Sequence, residues 1–179
     1  MISSLRCRNI KINVTLEKPL IIQSISQQNL EIIEKKTSII LRPLYIDCVI
    51  TIYKHSFTSL HITGIKSPLM VAECFHFLAN IFRIKVVSSQ INNSMFCGKL
   101  GQHVDITKLI KQIENKYSLY TCSFVEEIFP ALFVKPTKPR KKIGIPTTIL
   151  FPNGSFIIMG ATEVSKVKFA HRMLTSLVK

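Results

Sequence analysis

Two glycines, Gly64 and Gly160, stand 96 residues apart. Each closes a stretch rich in β-branched and aromatic residues just ahead of a helix start. The same order of elements is written around both. In the first half, residues 8–16 (RNIKINVTL) read as a strand, and Pro19 suits the first turn of a helix running to about Gln28. Residues 39–45, 49–53 and 57–63 read as further strands. Ser67-Pro68 then supplies a capping hydroxyl and a proline for the next helix, on which Glu73, His76, Asn80 and Arg83 form one narrow polar stripe. In the second half a strand covers about 84–97, and Asp105 caps a helix that stacks Ile106, Leu109, Ile110, Ile113 and Tyr117 on one face. Strands follow at about 129–135, 145–151 and 155–160. A last helix from about Thr162 buries Val164, Val167, Ala170, Leu174 and Leu177. Matching positions are offset by 84 (Asn9, Asn93), 93 (Arg42, Lys135), 98 (Tyr53, Phe151) and 96 (the glycines), a drift of loop lengths only. An internal duplication accounts for this with fewest assumptions. It predicts repeats at 1–83 and 84–179, intimately fused into one α+β domain, with helices on one sheet face and the other face bare.

The chain of 179 residues is 47% hydrophobic, enough for a packed core, and no window reaches the ~18 apolar residues of a membrane span. The expectation is a soluble intracellular protein with no membrane partner. Its net charge of +14 calls for an acidic partner. The excess is uneven: residues 1–83 hold ten basic and five acidic side chains, residues 84–179 fourteen and five. The five cysteines are scattered without a C-x-x-C pair, the histidines lack H-x-x-x-H spacing, and no Ser/His/Asp motif, carboxylate pair or phosphate-cradling glycine loop occurs. Reduced buried thiols, no metal, no cofactor and no enzymatic activity are the expectations.

The residues with most to say about function lie in 126–161. Phe129-Pro130 opens a strand, and Phe151 precedes the turn Pro152-Asn153-Gly154. Between them KPTKPRKK (135–142) places five basic residues in eight: Lys135, Lys138, Arg140, Lys141 and Lys142. Rigid aromatics at strand ends, on a basic chain with one bare sheet face, suit a sheet pressed onto nucleic acid, prying bases apart. The loop reads either as a grip on phosphates or as a solvated or targeting patch.

SFVEEIFPALFVK, ILFPNGSFIIMGA, IYKHSFTSLHITGIKS and RNIKINVTL together resemble the TATA-box-binding protein family, from about Arg8 to Lys179. The resemblance implies a saddle: two pseudo-symmetric repeats forming one curved antiparallel sheet with four helices on its convex face. It implies double-stranded promoter DNA bound in the minor groove, two phenylalanines per repeat wedged into base steps, and a duplex bent by about 80°. On this chain Phe129 and Phe151 match the second-repeat wedges and Tyr53 matches one first-repeat wedge. Asn9 and Asn93 match the central asparagines that donate to minor-groove acceptors, with Asn92 adjacent to the second. Thr63, Ile149 and Ile157 match underside positions, and Arg42 and Lys135 match basic positions near phosphates. Glu127, with Glu126 beside it, matches an acidic contact for a transcription factor IIB-like protein within the RNA polymerase machinery. A nuclear or viral transcription compartment follows, and abundant Ile, Lys and Asn suit a viral or fast-evolving eukaryotic source.

The first repeat departs from the family. Lys36 stands where a wedge belongs, Lys11, Thr51 and His61 replace apolar underside residues, and Met159 in the second repeat replaces a threonine. These departures keep a second reading open: a module of the same fold in a transcription complex, working through protein contacts with weak or no sequence-specific DNA binding. The apolar helix 68–82 favours that reading as well.

Overall fold

A computed structural model describes residues 5–21, 29–137 and 145–178. Strands β1 (Arg6–Leu16), β2 (Leu30–Glu34), β3 (Ser38–Pro43), β4 (Val49–Tyr53) and β5 (Ser56–Ile65) lead into helix α1 (Pro68–Phe82). Strand β6 (Val86–Lys99), helix α2 (Ile106–Lys116), strands β7 (Tyr120–Val125), β8 (Phe129–Pro136), β9 (Thr147–Leu150) and β10 (Ser155–Met159), and helix α3 (Val164–Leu177) complete the chain. The fold is a large antiparallel sheet with three helices among the described residues. The expected helix from Pro19 is not seen at 19–21, which are irregular, and its remainder lies outside the described residues.

The chain divides into two compact units, one of Asn9–Asn92 (the N-unit) and one of Met1–Arg8 with Asn93–Lys179 (the C-unit). In the N-unit the strand order is β2-β3-β4-β5-β1; in the C-unit it is β6-β10-β9-β8-β7. Each unit has one more strand than the sequence suggests, β2 and β7, at the end of its order. Residues 30–34, LEIIE, lack the strict alternation of a half-buried strand and receive no element from the sequence alone. Pairing with β3, Ile33 opposite Ile40, makes them a strand.

Local chemistry sets the helix starts. Ser67 Oγ accepts from Met70 N at 3.3 Å with Pro68 in the first turn, and Asp105 Oδ1 accepts from Lys108 N at 3.0 Å. Alternation sets the sheet faces: β4 and β10 both read half-buried, buried, half-buried, buried, half-buried. In the C-unit the buried positions, Leu132, Val134, Leu150, Phe156 and Ile158, join Ile106, Leu109 and Ile113 of α2 and Val167, Ala170 and Leu174 of α3 in one core. In the N-unit Ile12, Val14, Leu41, Ile50, Ile52, Leu60 and Ile62 pack with Cys74 and Leu78 of α1. Cys48 and Cys74 are buried with their sulfurs 3.5 Å apart, whereas Cys97 and Cys122 are only half-buried. In both units the alternate strand positions lie on the face away from the helix-lined core.

Candidate nucleic-acid interface

On that second face the C-unit gathers aromatics. Phe129 opens β8 directly after the turn 126–128, and Phe151 follows β9 directly. Their rings meet edge to face with centroids 5.7 Å apart, and Phe133, four residues along β8, lies 5.5 Å from Phe129. Lys135 Nζ sits 5.1 Å from the centre of the Phe133 ring. Phe129 is 40% exposed, a large fraction for a phenylalanine, and Phe151 is half-buried. Sequence alone singled out Phe129 and Phe151 but not Phe133. The signal was there, since an even spacing along a strand returns side chains to one face.

The turn under Phe151 is closely held. Phe151 N donates to Ser155 O and Gly154 N to Phe151 O, both at 2.9 Å. The chain segment before α2 clasps it: Leu100 N donates to Gly154 O at 2.9 Å, and Val104 N to Pro152 O at 2.8 Å. Ile157 lies on the same face, half-buried and opposite both Ile149 and Cys97. Ile149 shares the face by register, between Phe133 and Ile157, but is only 9% exposed. Its flanking neighbours, Phe133 and Ile157, cover most of it.

Asn9 and Asn93 make the same bond in the two units. Asn9 Oδ1 accepts from Gly64 N at 2.8 Å, and Asn93 Oδ1 from Gly160 N at 2.9 Å. Both glycines have positive φ, 90° and 88°, a conformation that costs glycine nothing and other residues strain. With each oxygen engaged by a backbone N–H, the amide is oriented and its NH₂ is the donor end. Asn92 is used differently: its Nδ2 donates to Asn13 Oδ1 at 3.0 Å.

The N-unit presents a more polar surface. Tyr53, at the end of β4, holds its hydroxyl 3.4 Å from His61 Nδ1, its ring meets the His61 ring edge-on at 5.1 Å, and His55 lies 5.6 Å away. Burial first, and the Lys11 charge second, hold the His61 pKa below the usual imidazole value. Lys36 is exposed in the β2–β3 turn. Arg42, exposed on β3, faces Glu31 of β2 at 3.4 Å, so part of its charge is already answered. Thr63 is half-buried, its hydroxyl donating at 3.5 Å to Val49 O. Glu126 and Glu127 are exposed in the turn ahead of Phe129, beside Ile128 at 82% exposure. Lys138, Arg140, Lys141 and Lys142 lie outside the described residues.

The family described as "Transcription factor TFIID (or TATA-binding protein, TBP)" matches residues 88–179, just over half of the chain. No curated protein matches significantly. Among solved structures, Methanococcus jannaschii TBP superposes with a TM-score of 0.71 at 15% identity, covering 98% of each chain. A rolling circle replication initiator protein from Geobacillus stearothermophilus reaches a TM-score of 0.46 at 6% identity, over 96% of this chain and 79% of that one, too distant to carry an argument.

Proposed function

The chain belongs to the TATA-binding protein family, a family of non-enzymatic transcription factors, and from that premise we propose that it is an initiation factor that binds promoter DNA in the minor groove through the sheet faces turned away from the helix-lined cores. The observation that carries this reading is the cluster of Phe129, Phe133 and Phe151, kept on the face opposite the C-unit core. A soluble protein has little reason to hold rigid rings there unless they enter something apolar, and a base step offers that once unstacked. Asn9 and Asn93, with their oxygens engaged, present donors to the acceptor-lined groove floor. Their matching bonds also support an origin of repeats 1–83 and 84–179 by duplication. Lys135, with Lys138, Arg140, Lys141 and Lys142, supplies phosphate contacts; Arg42, Tyr53, Thr63 and Ile157 complete the surface. Glu126 and Glu127, on an exposed turn, dock a transcription factor IIB-like protein and through it the polymerase machinery. Such work belongs to a nucleus or a viral transcription compartment.

A salt-dependent titration against A·T-rich and G·C-rich duplexes tests the reading. Tighter binding to A·T-rich DNA is expected; equal, weak binding to both refutes it. Two variants divide the contacts. Replacing Lys138, Arg140, Lys141 and Lys142 by alanine should flatten the slope of log affinity against log salt by roughly four units, about one per phosphate left unneutralised, without regard to sequence. Replacing Asn9 or Asn93 by alanine should weaken A·T-rich binding about tenfold and leave the slope unchanged, because an uncharged amide releases no counterion.

A second reading, a protein-docking module of this fold, draws on one observation. Helix α1 buries only Cys74 and Leu78 and leaves Leu69 69% exposed. Retained activity in a transcription complex with all DNA binding abolished would favour it.

A further inference from the structure

The bonds of Asn9 to Gly64 and of Asn93 to Gly160 fix which positions of the two units correspond. Four residues beyond each asparagine lie Asn13 and Cys97, and three residues before each glycine lie His61 and Ile157. Strand pairing confirms the equivalence. Asn13 pairs with His61 and His61 with Thr51 in one unit; Cys97 pairs with Ile157 and Ile157 with Ile149 in the other. The same row across three strands is therefore polar in the N-unit and apolar in the C-unit. The neighbouring positions follow suit: Lys11 and Thr63 against Met95 and Met159.

Minor-groove chemistry gives this difference a meaning. An A·T pair shows the groove only acceptors, whereas a G·C pair adds the guanine 2-amino donor. Under the C-unit row that donor would be buried against a thiol and two isoleucines with nothing to accept it, which is costly. The N-unit row offers acceptors. Asn13 Oδ1 takes one bond from Asn92 Nδ2 and, as a carbonyl oxygen, has capacity for a second; Thr51 carries a hydroxyl. Burial and Lys11 lower the His61 pKa and so favour the neutral ring, and in the tautomer whose Nδ1–H donates to the Tyr53 hydroxyl, Nε2 is the acceptor. Beside the row an open cleft of about 490 Å³ is lined by Thr15, Ser59, Ser88, Ser89 and Gln90 as well as Asn13 and His61. That gives room and partners for bridging water.

We infer that the two units differ in base preference: the N-unit face accepts G·C pairs, and the C-unit face requires A·T. The inference rests on the proposed minor-groove binding and adds to it a base preference that differs from one unit to the other. A polar face that served only to grip phosphates would instead be indifferent to which half carries G·C.

The test uses the full chain and three duplexes of equal length: all A·T at the core, G·C pairs in one half, and G·C pairs in both halves. The first two should bind within about threefold of each other, because the protein can orient its N-unit over the G·C half, and the third about tenfold more weakly. The double variant Thr51→Val/His61→Val makes the N-unit row resemble the C-unit row. It should keep its affinity for the all-A·T duplex and lose about tenfold on the one-half duplex. The reciprocal Ile157→Thr variant should regain binding to the duplex with G·C in both halves, which guards against a valine variant that merely folds poorly. Equal loss for each added G·C half, or a valine variant with unaltered preference, overturns the inference while leaving the proposed function standing. Failure to bind the all-A·T duplex overturns both.

Discussion

Replacing Phe129 and Phe151 together by alanine should lower affinity for A·T-rich duplex about a hundredfold and straighten the bound DNA, while the free protein stays folded. A wedge offsets the cost of unstacking a base step, a few kcal/mol, by allowing the bent duplex to meet more protein, so without the wedges the bent state is lost. A hundredfold is about 2.7 kcal/mol, within reach of two wedges. The cost to folding should be small. Phe129 is 40% exposed, and its ring belongs to a partly solvated cluster in which each aromatic pair contributes about 0.5–1.5 kcal/mol. Phe156→Ala is the contrast. Phe156 is 1% exposed on the opposite side of the same sheet, and truncating it should cost about 3–5 kcal/mol of stability. Affinity by titration, bend by end-to-end energy transfer and stability by urea unfolding separate these outcomes. Unchanged affinity in the Phe129/Phe151 double variant would make the cluster structural.

The second large effect is expected at Gly154. Its φ of 79° lies in the left-handed region, and a Cβ added there would sit 2.2 Å from the backbone carbonyl oxygen of Gln102. That atom belongs to the segment whose Leu100 N–H bonds to Gly154 O, so it cannot move aside without breaking the clasp. Left-handed strain contributes about 1–2 kcal/mol, and the overlap adds to it, so Gly154→Ala should lose about 3 kcal/mol or more. The turn that presents Phe151 is the part that must shift, so DNA affinity should fall with stability. Asn153→Ala, next to it, removes only the bond from Ser155 N to Asn153 Oδ1 at 2.9 Å and should cost about 1 kcal/mol or less. A Gly154→Ala protein whose urea midpoint matches that of Asn153→Ala would show that the clasp yields.

What could be read in the chain without coordinates was local. Ser67-Pro68 and Asp105 mark helix starts because a cap and a proline act within one turn, and Asn153-Gly154 marks a hairpin because only certain residues accept its dihedral angles. The three described helices, eight of the ten described strands and the aromatics at strand ends, Phe129 and Phe151, were legible for the same reason. Alternation also separated buried from half-buried positions, although it cannot say which of two faces receives the helices. That choice, and everything that depends on pairing across the sheet, belongs to the tertiary structure. That LEIIE joins a sheet is decided by β3, a partner the segment does not contain. Asn9 and Asn93 could be ordinary turn residues until Gly64 and Gly160, 55 and 67 residues away, accept the role of donor. The polar departures at Thr51 and His61 were visible singly, but only strand register sets them in one row with Asn13 and opposes that row to Cys97, Ile157 and Ile149. Backbone propensity acts over a few residues and is written in the sequence, whereas a face is the joint product of strands distant in the chain.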